Sequence, residues 1–181
     1  SQRVSVACGI FPQIFVDGKN AIGENFSSQK KPIALQLKVQ AASWISCSKA
    51  ELIRNGVVIQ TFDLKRNGSP VGLDTMVNIR PLKDSWYILI AHGDKSMFPM
   101  VGKLERPVMP LGFTNPVWVD ADGDGVIQSV FDYAKKLVTE KSNDINTFVQ
   151  LLRSEPEIIP FAFYFMFSEN NKNAIPVAKA F

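Results

Sequence analysis

The sequence predicts a mainly β fold: an Ig-like β-sandwich of about seven or eight strands with two or three C-terminal helices. Three observations carry this. Segments that alternate apolar and polar side chains fill the first two-thirds of the chain, with turn residues between them at roughly 8–12-residue intervals. Asn55-Gly56 separates two such segments, and Asn-Gly is a strong hairpin signal because both residues accept positive φ. After Gly125 the apolar spacing changes to that of helices. The expected organisation is therefore a sandwich over residues 1–125 and a helical extension over residues 126–181, packed on the sandwich.

The elements follow in order. Arg3 to Cys8 alternates, and Gln13 to Val16 runs into an Asp17-Gly18 turn. Pro32 to Gln40 puts Ile33, Leu35, Leu37 and Val39 on one face and Gln36 and Lys38 on the other, a half-buried strand. Glu51 to Arg54 and Val57 to Phe62 form the Asn-Gly hairpin. Leu73 to Arg80 and Trp86 to His92 are expected to pair across Pro81 to Ser85, and Phe113 to Val119 supplies the last strand. The connection from Asp94 to Gly112, with Pro99, Pro107 and Pro110, reads as a functional loop or as a proline-stiffened strap over a sandwich edge. Val126 to Glu140 and Asn143 to Arg153 carry helical apolar spacing, with Asn143 expected as an N-cap. A third apolar segment ends near Phe167, and Ser168 to Asn173 reads as a loop.

Composition narrows the function. The chain's 181 residues allow about 70% of the unfolded surface to be buried, enough for a core. A net charge of +3, with both signs interleaved, is no nucleic-acid footprint. The chain opens without a basic-then-apolar leader, so no signal peptide is expected, and the apolar run Ile158 to Phe167 is shorter than the ~20 residues of a membrane span. Cys8 and Cys47 read as buried free thiols, with a single bridge as the alternative. Trp44, Trp86 and Trp118 sit in apolar strand patterns and read as core residues, with a sugar-stacking platform as the alternative.

Catalytic chemistry is sparse. His92 is the single histidine, so metal centres built from several imidazoles are excluded, and a Ser-His-Asp triad has one base to draw on. No nucleophile elbow, glycine-rich phosphate loop or zinc-type cysteine spacing is present. No catalytic residue is assigned and no cofactor is required.

The stretch FTNPVWVDADGDG, residues 113–125, is the most informative one. Asp120, Asp122 and Asp124 stand on alternate residues, and Gly125 follows at the sixth position of a D-x-D-x-D-G pattern. Ca²⁺ takes six to eight oxygen ligands, and the Val126 carbonyl occupies the seventh position of such a loop. The twelfth position should bring a bidentate carboxylate, but it is Phe131. The candidate calcium ligands are therefore Asp120, Asp122, Asp124 and Val126. The alternative is a turn whose aspartates bond local backbone N–H groups and cap the next helix.

Three segments carry a family resemblance: AASWISCSKAELIRNGVVI (41–59), IRPLKDSWYILIAHGD (79–94) and RPVMPLGFTNPVWVDADGDG (106–125). In this order they resemble the C-terminal β-sandwich of CehA/McbA-type PHP-domain metal-dependent hydrolases. The opening VACGIFPQIFVDGKNAIGE is similar to the entry into that sandwich, with Ala7 and Cys8 in place of a Thr-Asn pair and Ile10 in place of a Pro. The resemblance covers residues 3–125. It implies a preceding PHP domain that holds its metals through an H-x-D-x-H motif and further His and Asp ligands. No such motif occurs in this chain, so no catalytic residue carries over.

The expected function is that of a non-catalytic accessory domain that packs on such a hydrolase domain of the same protein, with Phe161, Phe163, Phe165 and Phe167 either extending the contact or filling the chain's own core. Export or a cell-envelope location follows from the resemblance alone. The alternative is a carbohydrate- or cell-envelope-binding module that uses a weak calcium loop and exposed tryptophans.

Overall fold

A computed structural model describes residues 4–65 and 68–181. The chain divides into two compact units: residues 1–54 with 58–126, and residues 127–181 with 55–57.

The first unit is a β-sandwich. One sheet orders β1 (Ser5–Cys8), β12 (Leu111–Thr114), β9 (Ser85–His92), β13 (Val117–Asp120) and β4 (Asn25–Ser27). The other side of β9 pairs with β6 (Lys49–Arg54), and β6 with β7 (Val57–Asp63). The second sheet orders β3 (Lys19–Asn20), β2 (Ile10–Val16), β5 (Ile33–Ala41) and β8 (Val71–Ile79). A separate hairpin joins β10 (Gly102–Lys103) and β11 (Arg106–Pro107). The sandwich expectation is borne out. The strand count is higher because the ladders include several strands of two to four residues, which period-two patterning cannot register.

Alternation builds the core. On β5, Leu35, Leu37 and Val39 are buried while Gln36 and Lys38 lie half-exposed; Tyr87, Leu89 and Ala91 repeat this on β9. With Ile10 and Ile14 of β2 and Ala50 and Leu52 of β6 they form one apolar cluster between the sheets. The Asn55-Gly56 turn forms as expected, with φ of 49° and 89°.

One pairing differs from expectation. β8 lies in the second sheet beside β5, and β9 lies in the first, so residues 81–84 cross between sheets rather than close a hairpin. The segment Pro81 to Asp84 carries no pair of residues suited to a tight two-residue turn, and alternation alone leaves the partner unspecified. β9 is the hub of the first sheet. β12 pairs with its C-terminal half and β13 with its N-terminal half, on the same side. Between them Asn115-Pro116 interrupts the ladder. The Leu89 N–H donates instead to the buried Thr114 hydroxyl at 3.1 Å, so the break leaves no orphan donor there.

The second unit holds α1 (Val130–Lys141), α2 (Ile145–Ser154), a 3₁₀ turn (Pro156–Ile158), α3 (Ile159–Ser168) and α4 (Ala174–Ala180). Its own core contains Ala134, Leu137, Phe148, Leu152, Ile158 and Met166. The N-cap of α2 is Asp144, one residue later than expected, because its carboxylate accepts the Thr147 N–H. In α3 the alternate phenylalanines fall on different faces of a helix. Phe165 is buried, Phe163 half-buried, and Phe161 and Phe167 exposed.

Candidate functional site

The acidic turn follows directly from β13. The ladder fixes that strand: Val117 to Val119 run antiparallel to β9, and Trp118 to Asp120 run parallel to β4. Beyond the strand, the Ser28 N–H donates to the Asp120 carbonyl at 2.8 Å and the Lys30 N–H to the Ala121 carbonyl at 2.7 Å. From the other direction, Asp84 Oδ1 accepts the Ala121 N–H at 2.7 Å. The turn is thus tied to two segments distant in sequence.

Within the turn the aspartates bond the backbone. Asp120 Oδ1 accepts the Gly123 N–H at 2.6 Å, and Oδ2 accepts the Gly125 N–H at 2.9 Å. Asp122 Oδ1 accepts the Asp124 N–H at 3.3 Å, and Asp124 Oδ1 the Val126 N–H at 2.8 Å. Both glycines have φ of 83°, a left-handed conformation that disfavours side chains. Burial pushes the Asp120 carboxyl up, but the Gly123 and Gly125 N–H groups, the Asp122 side chain and the Asp124 N–H together hold it below its ordinary value.

The structure brings together one oxygen each from Asp84, Asp120 and Asp122, all within 4.8 Å of one another. Asp124 is outside this group, and Val126 is exposed, with its N–H on Asp124. Asp84 was not legible as a member, since it stands far from the loop in sequence. Phe131, at the position where a calcium loop would close, packs in α1 against Phe165 at 4.7 Å and edge-on to Phe161 at 5.8 Å. Oxygen donors of this kind suit a hard cation.

The second feature is the hairpin between β9 and β12. Its stem is anchored: Met97 is buried, and its N–H donates to the Val108 carbonyl at 2.9 Å. Residues 98–107, ten in a row, are exposed. Met100 and Leu104 are 70% and 75% exposed, and Phe98 and Val101 are exposed beside them. The segment does not lie over an edge as a strap; its tip faces solvent.

The remaining candidates are scattered. His92 ends β9, in register with Lys49 and Leu111. Cys47 is buried, Cys8 is only half-buried, and both thiols are free. Trp86 and Trp118 are half-buried, but Trp44 is 58% exposed, which overturns the core reading for that residue. Residues 42–44 precede β6 in a loop, so the strand pattern there misled. Among the described residues no helix is long and apolar enough to cross a membrane.

No family model and no curated protein matches this sequence. Among solved structures, the chain is similar to the CARDB domain of a Pyrococcus furiosus protein, solved in complex with di-metal ions. The identity is 14% and the TM-score 0.38, over 62% of this chain and 86% of that one. An engineered protein matches at 20% identity and a TM-score of 0.30, over 61% of this chain and 20% of that one. These likenesses are too distant to inform the site.

Proposed function

We propose that this chain is a non-catalytic accessory domain that docks on a metal-dependent, PHP-type hydrolase domain of the same protein. The observation that carries the reading is the hairpin at residues 97–111. Single exposed apolar side chains are ordinary, but Phe98, Met100, Val101 and Leu104 are gathered on one continuously exposed tip. Lys103, Glu105 and Arg106, interspersed with them in sequence and also exposed, supply charge of the kind found at the rim of a protein interface. The nature of the partner rests on the three resembling segments, all of which lie in the sandwich.

The reading frame that encodes the chain is expected to specify an H-x-D-x-H-bearing domain upstream; its absence refutes the hydrolase partner. With that domain produced separately, a Met100→Asp, Leu104→Asp variant is expected to bind it at least about tenfold more weakly than wild type. Unchanged affinity refutes the hairpin as the contact. The chain alone is expected to give no phosphoesterase turnover with Mn²⁺ or Zn²⁺.

A weak calcium site at the acidic turn is a subordinate part of the proposal, favoured by the convergence of Asp84, Asp120 and Asp122. With no closing carboxylate, and with Asp120 already accepting two N–H bonds, affinity is expected near ~1 mM. Calcium at about 10 mM should raise the melting temperature of wild type and not of Asp84→Asn. No shift in wild type refutes the site.

A further inference from the structure

A cleft of about 480 Å³ opens between the loop at residues 42–48 and the residues that follow β9. Trp44, Ser46, Asp94 and Lys95 line it above an apolar floor of Ile45 and Leu64. Its volume is that of a small-molecule site.

The two walls are locked together. Gly93 lies so close to the opposite loop that a Cβ there would stand 2.2 Å from the Ser46 carbonyl oxygen. The Ser46 hydroxyl donates to Asp94 Oδ1 and accepts the Asp94 N–H at 3.2 Å. The Ser48 N–H donates to the His92 carbonyl at 3.0 Å. Ser46 and Asp94 are therefore held in place before any ligand arrives, which lowers the ordering cost of binding.

We propose that this cleft binds a neutral saccharide, with a sugar ring laid on the Trp44 indole and its hydroxyls bonded to Asp94 and Lys95. Three observations select that chemistry. The indole is the one large apolar surface at the mouth, and it is exposed. Among the described lining residues one carboxylate and one ammonium balance each other, and beside the Ser46 and Ser48 hydroxyls, which bond within the protein, Ser43 and Ser96 add hydroxyls to the lining. The Asp94 carboxylate is fixed at the cleft by its Ser46 hydrogen bond and offers only acceptors; that bond and the Asp94 backbone, with a lesser effect of the Lys95 charge, outweigh burial and hold it below its ordinary value. A quaternary ammonium would also suit an indole beside a carboxylate, but the Lys95 charge opposes it. The cleft shares no lining residue with the hairpin tip, so this inference stands independently of the docking proposal.

The test is NMR titration of the intact ¹⁵N-labelled chain, whose three tryptophans give three indole N–H signals. Cellotriose, maltotriose, mannotriose and chitotriose are added to about 20 mM, a range suited to weak binding. At least one is expected to move the Trp44 signal along a saturating curve. By the shift of the backbone amides around Asp94, that sugar should bind roughly tenfold more weakly to Trp44→Ala and roughly fivefold more weakly to Lys95→Ala. Thermal melting verifies that the variants fold; should Trp44→Ala fail, Trp44→Phe should fold and bind more weakly than wild type. The inference is overturned if no sugar moves the Trp44 signal, if the variants bind as wild type does, or if tetramethylammonium moves it and the sugars do not.

Discussion

Gly112→Ala should destabilise the sandwich, and the structure gives the size of the effect. Gly112 lies in β12 between Ala7 of β1 and Ala91 of β9. A Cβ at this position would stand 2.3 Å from the Ile10 carbonyl oxygen and 2.7 Å from Pro12 Cδ, where ordinary contact begins at 3.4 Å. The shortfall to Ile10 is about 1.1 Å and involves backbone in β2, so no side-chain rotation relieves it. Ladder bonds on both sides of Gly112 resist a shift of the strand. A backbone clash this deep belongs at the upper end of the usual cost of overpacking, about 3 kcal/mol, which for a sandwich of this size lowers the melting temperature by roughly 9–15 °C. The assay is thermal denaturation followed by tryptophan fluorescence, which reports the first unit because all three tryptophans lie in it. Gly18→Ala is the control: its φ is 72° but nothing lies within 4 Å of the added Cβ. It should cost only the ~1–2 kcal/mol of left-handed strain. A Gly112→Ala protein that melts within about 2 °C of wild type, or above Gly18→Ala, refutes the close-approach argument.

Two further outcomes are expected. The folded Asp120 carboxyl titrates below the ordinary value of 3.8, so it contributes stability above that pH and loses the contribution as pH falls through its own lower value. Asp120→Asn should therefore melt below wild type at pH 7, and the gap should close in acid; a gap independent of pH refutes the assignment. In the helical unit Phe148 is fully buried, and Phe148→Ala should cost about 3–5 kcal/mol, measured by the urea dependence of the 222 nm signal; a loss under about 1 kcal/mol refutes its place in that core.

What the sequence could reveal depended on locality. The β5 face, with Leu35, Leu37 and Val39 inward, was legible because a two-residue period has one structural meaning when one face is buried. The Asn55-Gly56 turn was legible because its backbone demands residues that tolerate positive φ. The sheet change between β8 and β9 was not, since both strands carry valid patterns and pairing is decided by the whole sandwich. The site divides in the same way. The three aspartates of the turn could be read directly, and so could their alternative role as backbone acceptors. The approach of Asp84 could not, because only the β9–β13 ladder brings it there. Trp44 misled because a short apolar stretch looks the same in a strand and at the mouth of a cleft. The alternate phenylalanines at 161–167 left open whether they extend a contact or fill the core, and in a helix they divide, Phe165 inward and Phe161 and Phe167 exposed.

The break at Asn115-Pro116 bears on how this domain can meet other chains. It splits one flank of β9 into two short strands, and each is covered by a neighbour of opposite sense: β1 antiparallel on one half, β4 parallel on the other. These outermost strands are four and three residues long. A foreign strand laid along this side would meet hydrogen-bonding groups whose direction reverses midway, so no single extended peptide could stay in register past a few residues. Recognition on this flank must therefore work through side chains rather than through a continued sheet, and a partner surface is selected by shape and polarity instead of by its capacity to form a strand.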